Sequence, residues 1–471
     1  MRRVSRAATA SVAFAVAAVL IAVSGGAPAA AVTPPTVDSR ALVRSAPVAP
    51  PEPTEQRTLC ARAVGTGSVT RPSAAQTMMN LPAAWQFGRG KGQRVAVIDT
   101  GVTPHPRLGR VTAGGDYVSS GNGLTDCDAH GTLVAGIIAA DPDPDDGFAG
   151  VAPDASIIAI RQSSSAYEAK DRRSAGDSDP TATVGSGYGS VRTLASAVVR
   201  AVDLGATVIN ISEVACAPAG AALNDRSLGA AVKYAYDRDV VVVVAAGNLS
   251  QGSACEKQNP APDPADSGGW SSVTTVASPA WFAQYVLAVG SVDAGTGAPS
   301  DFSLHGPWVD VAAPGTGIVS LDNARGSRRL VNAQEGSDGP VPLLGTSFAA
   351  PYVSGTVALV RSRFPDLSAA EVMDRITRTA HAPGTGHDTR VGYGVIDPVA
   401  ALTATLPAAP TTGGDTGVSR AIAAPAPEPV PDHTARNVAL IGTGVAVAVL
   451  AAVLAASLPY RRVRRLDPDE Y

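Results

Sequence analysis

From Val438 to Leu458 the chain carries 21 residues without a charge, and Arg461-Arg462-Val463-Arg464-Arg465 follows at once. At about 1.5 Å of rise per residue such a helix covers a hydrocarbon core of about 30 Å. Basic residues beside a span stay on the cytoplasmic side. The bulk of the chain is therefore expected outside the cytoplasm, tied to a membrane by one C-terminal helix. The opposite end is apolar for another reason. Arg2, Arg3 and Arg6 precede the apolar run Ala8–Val23, and small residues follow. That is the pattern of a secretory signal, with cleavage after Ala29 or Ala31.

What folds must lie between these segments. The expected division is a signal peptide at 1–31, an N-terminal extension at 32–72, one domain at 73–400, a Pro/Ala-rich linker at 401–436, a transmembrane helix at 437–458 and a cytoplasmic tail at 459–471. The 48 glycines and 37 prolines suit many turns and the semi-rigid linker. A net charge of −4 gives no reason to expect a nucleic-acid partner. Cys60, Cys127, Cys216 and Cys255 form an even set in an exported chain, which suggests two disulfides with three pairings open. Metal ligation is disfavoured because no C-x-x-C spacing occurs.

Within the domain, short β-branched runs alternate with amphipathic helical stretches. Strands are expected at Arg94–Asp99, Ser156–Ile160, Thr207–Ser212, Val240–Ala245, Tyr285–Val289 and Trp308–Val311. Several are apolar throughout, as strands buried on both faces are. Val191–Leu204 has a helical apolar face, and Ser368 with Glu371 forms a capping-box pattern. The alternation predicts an α/β domain of three layers, a mostly parallel sheet with helices on both faces. The polar, Gly/Ser/Asp-rich stretch Gln162–Ser190 reads as a mobile surface insertion.

Three segments carry chemistry. Val95-Ala96-Val97-Ile98-Asp99-Thr100-Gly101 puts a carboxylate at the end of a buried strand, where it needs a partner. His130-Gly131-Thr132-Leu133-Val134-Ala135-Gly136 sets a histidine at the head of an apolar helix. Gly345-Thr346-Ser347-Phe348-Ala349-Ala350-Pro351 places a serine among small residues at a helix start, which favours developing negative charge. A fourth run, Val240–Val244, ends in Ala245-Ala246-Gly247-Asn248. The pair Asp99-Thr100-Gly101 and Asp415-Thr416-Gly417 imitates the two motifs of an aspartic protease. The second copy lies in the linker without a strand before it, so that reading fails.

In this order the segments closely resemble the signatures of subtilisin-like serine proteases. The resemblance implies a triad of Asp99, His130 and Ser347, and an oxyanion hole from the Asn248 side chain and the Ser347 backbone N–H. It assigns substrate contact to Ser212, Glu213 and Val214 and to Ala245, Ala246 and Gly247, and implies neither cofactor nor metal. The acidic stretch Asp141–Asp146 lacks the ligand spacing of a calcium site and reads as a solvated loop. Many subtilisins continue after Asn-x-Ser with Leu-Gly-Gly. Here Ile209-Asn210-Ile211-Ser212 leads into Glu213-Val214-Ala215-Cys216, so a narrower cleft and weak activity on general proteins are expected.

The whole arrangement, with Asp126-Cys127-Asp128-Ala129-His130, looks like that of the mycosins, proteases associated with type VII secretion systems. That likeness implies Cys60–Cys127 and Cys216–Cys255 disulfides and an extension that wraps the catalytic domain. It also implies selective endopeptidase action on secreted protein or peptide substrates, and contact with subunits of the secretion membrane complex. The competing expectation is a mainly structural role in that complex, with proteolysis dispensable.

Overall fold

The computed structural model describes residues 32–67, 71–170, 184, 187–263, 266, 268–407 and 434–463. The expected signal peptide, the centre of the 162–190 insertion, most of the linker and the tail beyond 463 lie outside these residues. The chain divides into two units, Met1–Leu406 and Pro407–Tyr471.

Seven parallel strands form the centre of the first unit: β1 (Arg94–Asp99), β2 (Val111–Asp116), β3 (Ser156–Arg161), β4 (Val208–Ile211), β5 (Val241–Ala245), β6 (Leu287–Val292) and β7 (Val311–Pro314). They lie in the order β7-β6-β5-β4-β1-β3-β2. Alternation along each strand feeds two cores. Val95, Val97, Val241 and Val243 face one layer, while Ala96, Ile98, Val242 and Val244 face the other. The first layer holds α1 (His130–Ala139) and α4 (Thr346–Arg363), and the second holds α2 (Val191–Asp203) and α3 (Arg226–Tyr236). Strands walled in on both sides have no polar face to show, which is why their sequences are apolar throughout.

The direction of growth reverses beside β1. Strands β2 and β3 lie on one side of it, and β4 to β7 on the other. Ligand crevices form outside the carboxyl ends of strands at such a switch, and Asp99 ends β1. Helix α5 (Ala369–Arg378) starts at the expected capping box, in which Ser368 Oγ accepts from Glu371 N and Glu371 accepts from Ser368 N.

Two strand expectations are displaced. Tyr285 closes a turn on Phe282, so the strand begins at Leu287. Trp308 and Val309 are buried in a turn against Trp270, and the strand follows at Val311. Their apolarity reports burial in the core, not extension. The insertion is also shorter than expected at its start. Gln162, Ser163 and Ser164 are buried, and Tyr167–Ala169 pairs antiparallel with Thr54–Gln56 of the N-terminal extension.

Among its described residues the extension is otherwise irregular up to Arg62, apart from a short turn at Ser39–Ala41, with Val32, Val37 and Leu42 against the core. It is fastened again where Ala63–Val64 pairs with Ala333–Gly336, and by a disulfide between Cys60 and Cys127 with S–S 2.03 Å. In the second unit, α6 (Thr434–Val463) is one continuous helix. Its stretch Ala439–Ala456 is long and apolar enough to cross a membrane, and none of that stretch is buried.

Candidate active site

Asp99 is wholly buried at the end of β1. Its Oδ1 accepts from the Thr100 backbone N–H at 2.8 Å and meets His130 Nδ1 at 2.7 Å. Its second oxygen has no partner among the described residues. The approach of α1 to β1 depends on Gly131. A Cβ there would stand 2.0 Å from the Gly101 carbonyl oxygen, so any side chain would push His130 away from Asp99. Gly131→Ala should destabilise the domain by about 3 kcal/mol, read as a lower midpoint in chemical denaturation. An unshifted midpoint would mean that the helix relocates freely.

Behind this pair lies a carboxyl group to which the sequence alone assigned no role. Asp126 accepts from Thr100 Oγ1 at 2.9 Å, from Thr132 N at 2.8 Å and from Thr132 Oγ1 at 2.6 Å. Thr100 Oγ1 in turn accepts from Gly131 N at 2.9 Å. Burial pushes the Asp126 carboxyl up to about 6 against the pull of the Thr132 bonds. Its spacing, four residues before His130 in a polar turn, was the available signal.

Burial disfavours the charged form of His130. The charge of Asp99 and its hydrogen bond outweigh that cost, Glu213 and Asp126 add to them, and the imidazole pKa rises above its ordinary value.

Ser347 is the second residue of α4 and is buried. Pro351, four residues on, has no N–H to donate to the Ser347 carbonyl. That carbonyl accepts from Ser212 Oγ at 2.8 Å instead, and Asn210 Nδ2 donates to Ser212 Oγ at 2.8 Å. Asn210 Oδ1 accepts from Ser354 Oγ, also at 2.8 Å. The end of β4 is thereby stitched to the first turns of α4, and a proline inside a helix becomes part of the site.

Asn248 follows β5, and its Oδ1 accepts from Thr346 N at 2.9 Å and Thr346 Oγ1 at 3.0 Å. These bonds orient the amide and leave Nδ2 to face the cleft. Gly345 has φ 151°, and a Cβ built on it would lie 2.9 Å from Ser347 Oγ, 3.2 Å from Asn248 Nδ2 and 3.7 Å from Ser347 N. A hydroxyl and two N–H donors thus converge on one small space that only glycine leaves empty. The His130 ring stands 5.1 Å from that of Phe348, the neighbour of Ser347. Neither His130 Nε2 nor Ser347 Oγ makes a hydrogen bond among the described residues.

Segments 212–214 and 245–247 lie at the carboxyl ends of the neighbouring strands β4 and β5, with Val214 Cγ2 3.6 Å from the Cβ position of Gly247. The side chains of Ala245 and Ala246 belong to the core, which leaves only their backbone for any contact with a substrate. Glu213 is half-buried, and one carboxyl oxygen accepts from Ser163 Oγ. The second disulfide joins Cys216 to Cys255, S–S 1.99 Å, behind the 212–214 segment. Among the described residues no group of three or more His, Cys, Asp or Glu is placed to hold a metal ion. In the acidic loop, Asp146 pairs with Arg107 at 2.6 Å.

Comparison with known proteins is consistent over nearly the whole chain. The subtilase family model, Peptidase_S8, matches residues 90–394. The chain is 48% identical over 453 residues to Mycosin-1 of Mycobacterium tuberculosis, covering 94% of this chain and 98% of that one. The crystal structure of MycP1 from Mycobacterium smegmatis superposes with a TM-score of 0.75 at 45% identity, covering 85% of this chain and 100% of the other. A chain in the structure of an intact ESX-5 inner membrane complex matches with a TM-score of 0.75 at 43% identity, covering 90% of this chain and 100% of its own length.

Proposed function

Because the chain belongs to the subtilase family, and within it to the mycosins, we propose that this serine peptidase is a selective endopeptidase anchored at the outer face of the cytoplasmic membrane and associated with a type VII secretion system. The observation that carries the reading is the convergence of Ser347 Oγ, Asn248 Nδ2 and Ser347 N on one space, beside an imidazole held by Asp99. We assign the parts as follows. His130 Nε2 removes the Ser347 proton as Oγ attacks the scissile carbonyl, then returns it to the leaving amine. Asp99 keeps Nδ1 protonated, so that Nε2 is the basic nitrogen, and stabilises the imidazolium. Asn248 Nδ2 and Ser347 N donate to the oxyanion.

Residues 32–72 act as a permanent strap on the peptidase domain, which we place at 73–400. The segment 437–458 anchors it, and the tail at 459–471 is cytoplasmic. The substrates are secreted proteins admitted by the narrow cleft between 212–214 and 245–247. Labelling of the full-length protein with a fluorophosphonate, followed by mass mapping, tests the assignment. The adduct should sit on Ser347, and an adduct elsewhere, or none, would refute it.

Asn248→Ala should lower kcat by about 10²–10³-fold with KM little changed, because the donor acts on charge that exists only in the transition state. A loss confined to KM would instead make Asn248 a ground-state contact. The likeness to a chain inside an intact secretion complex supports a second role beside catalysis, that of a structural member of the complex.

A further inference from the structure

The carboxyl groups of Asp99, Asp126 and Glu213 act on one imidazole, that of His130, and Asp128 lies two residues before it. Among the described residues none of the four is ion-paired with a lysine or arginine. The one ion-pair partner any of them has among the described residues is His130 on Asp99, charged only when protonated. Asp126 and Asp128 are fully occupied by local donors. Asp128 takes Ser164 Oγ at 2.5 Å, Ser165 N at 2.8 Å and Ser165 Oγ.

Glu213 differs from them. Ser163 Oγ holds one of its oxygens, while the other is buried with no hydrogen-bond partner. It lies in the segment assigned above to substrate contact, between Ser212, which is bonded to the Ser347 carbonyl, and Val214, which lies near Gly247. Where many subtilisins have Leu-Gly-Gly, this wall has a carboxyl group short of donors. Ser212 is bonded to the Ser347 carbonyl and Asn248, which we assign to the oxyanion, follows 245–247 directly, so we place the acyl part of the substrate against these two segments.

We propose that Glu213 determines specificity: its carboxylate, moored by Ser163 on the cleft floor, selects substrates with a lysine or arginine among the residues preceding the scissile bond. The proposal deepens the peptidase assignment above and rests on it. The side chain as a whole is half-buried, so a turn of the carboxylate toward the cleft would bring the second, now enclosed, oxygen to an arriving cation that supplies the donors it lacks. Low-dielectric walls bearing charge of one sign focus that attraction along the cleft. Burial and the neighbouring Asp99 charge raise the Glu213 carboxyl, opposed by the Ser163 bond and by His130. A carboxyl raised in this way gains by meeting a cation.

The test uses full-length protein in membranes and peptidyl phosphonates that react with the active serine. Lysine or norleucine is placed at each of the four positions before the reacting phosphorus. The ratio of the lysine to the norleucine rate of Ser347 modification should reach about tenfold at one position or more, the scale of a hydrogen bond to a charged group. In Glu213→Gln that ratio should fall to about one. Glu213→Asp should keep part of it, a rescue by charge that a merely structural side chain would not give.

In the unaltered protein the ratio should also decline as salt is raised, a readout that needs no variant to fold. A ratio near one at every position, or one unchanged in Glu213→Gln, overturns the specificity role. Failure of a small fluorophosphonate to modify Ser347 at all would instead sink the peptidase assignment, and this inference with it.

Discussion

Ser347→Ala is expected to lower kcat on the order of 10⁶-fold, the scale of loss when the nucleophile of such a triad is removed, and to abolish fluorophosphonate labelling. The fold should survive the change. Ser347 Oγ makes no hydrogen bond among the described residues, and the bond from Ser212 Oγ to the Ser347 carbonyl involves only backbone at that position. Alanine also suits the second position of a helix. The variant is therefore a clean instrument for separating the two roles of the protein. Restored to a strain lacking the gene, it should restore the complex and leave the substrates uncut. If secretion survives Ser347→Ala but not deletion, the structural role is the essential one. If both abolish secretion while the complex still assembles, cutting is essential. Residual hydrolysis above about a thousandth of the parent rate would place the nucleophile elsewhere.

Much of this site was legible because its chemistry is carried by local sequence. Asp99 ends an apolar run, His130 opens an apolar helix, and Asn248 closes a run of valines. Their places at strand and helix ends follow from periodicity, while the roles expected of them come from the resemblance to subtilisin-like proteases. What could not be read was the wiring between distant segments. The mooring of Glu213 by Ser163 crosses 50 residues, and Ser163 lay in a stretch read as mobile insertion. The Thr346 clamp on the Asn248 amide crosses 98 residues.

Asp126 escaped notice for another reason. A carboxylate in a polar turn looks solvated until the fold closes over it. The displaced strands show the same limit from the apolar side, since Trp308 announces burial in any conformation. Pro351 is the instructive exception. Its missing N–H is visible in the sequence, and the carbonyl it frees is that of Ser347 itself, but only the fold shows Ser212 there to receive it.

Asp99→Asn should lower kcat by about 10⁴-fold and, in the activity that remains, move the acid limb to lower pH. The two effects have separate causes. In the parent protein Asp99 Oδ1 accepts from both Thr100 N and His130 Nδ1. Both bonds fall on one oxygen. An asparagine that turns its N–H₂ to that position confronts Nδ1 with a donor, so Nδ1 must accept. The imidazole proton then moves to Nε2, the nitrogen that should take the Ser347 proton, and the base is lost. An asparagine that keeps its oxygen there preserves the tautomer and loses only the charge that stabilises the imidazolium. The pH effect follows from charge. Catalysis requires neutral His130, so parent activity falls as pH drops through its pKa. That pKa lies above the ordinary imidazole value of about 6.5, because the Asp99 charge and hydrogen bond outweigh burial. Removing Asp99's charge leaves burial opposed only by Glu213 and Asp126, so the imidazole deprotonates at lower pH and the limb follows it down. A pH profile of kcat/KM for both proteins reads both effects. A limb that stays in place would assign the parent's acid limb to another group, and a loss under tenfold would show that Asp99 does not set the tautomer.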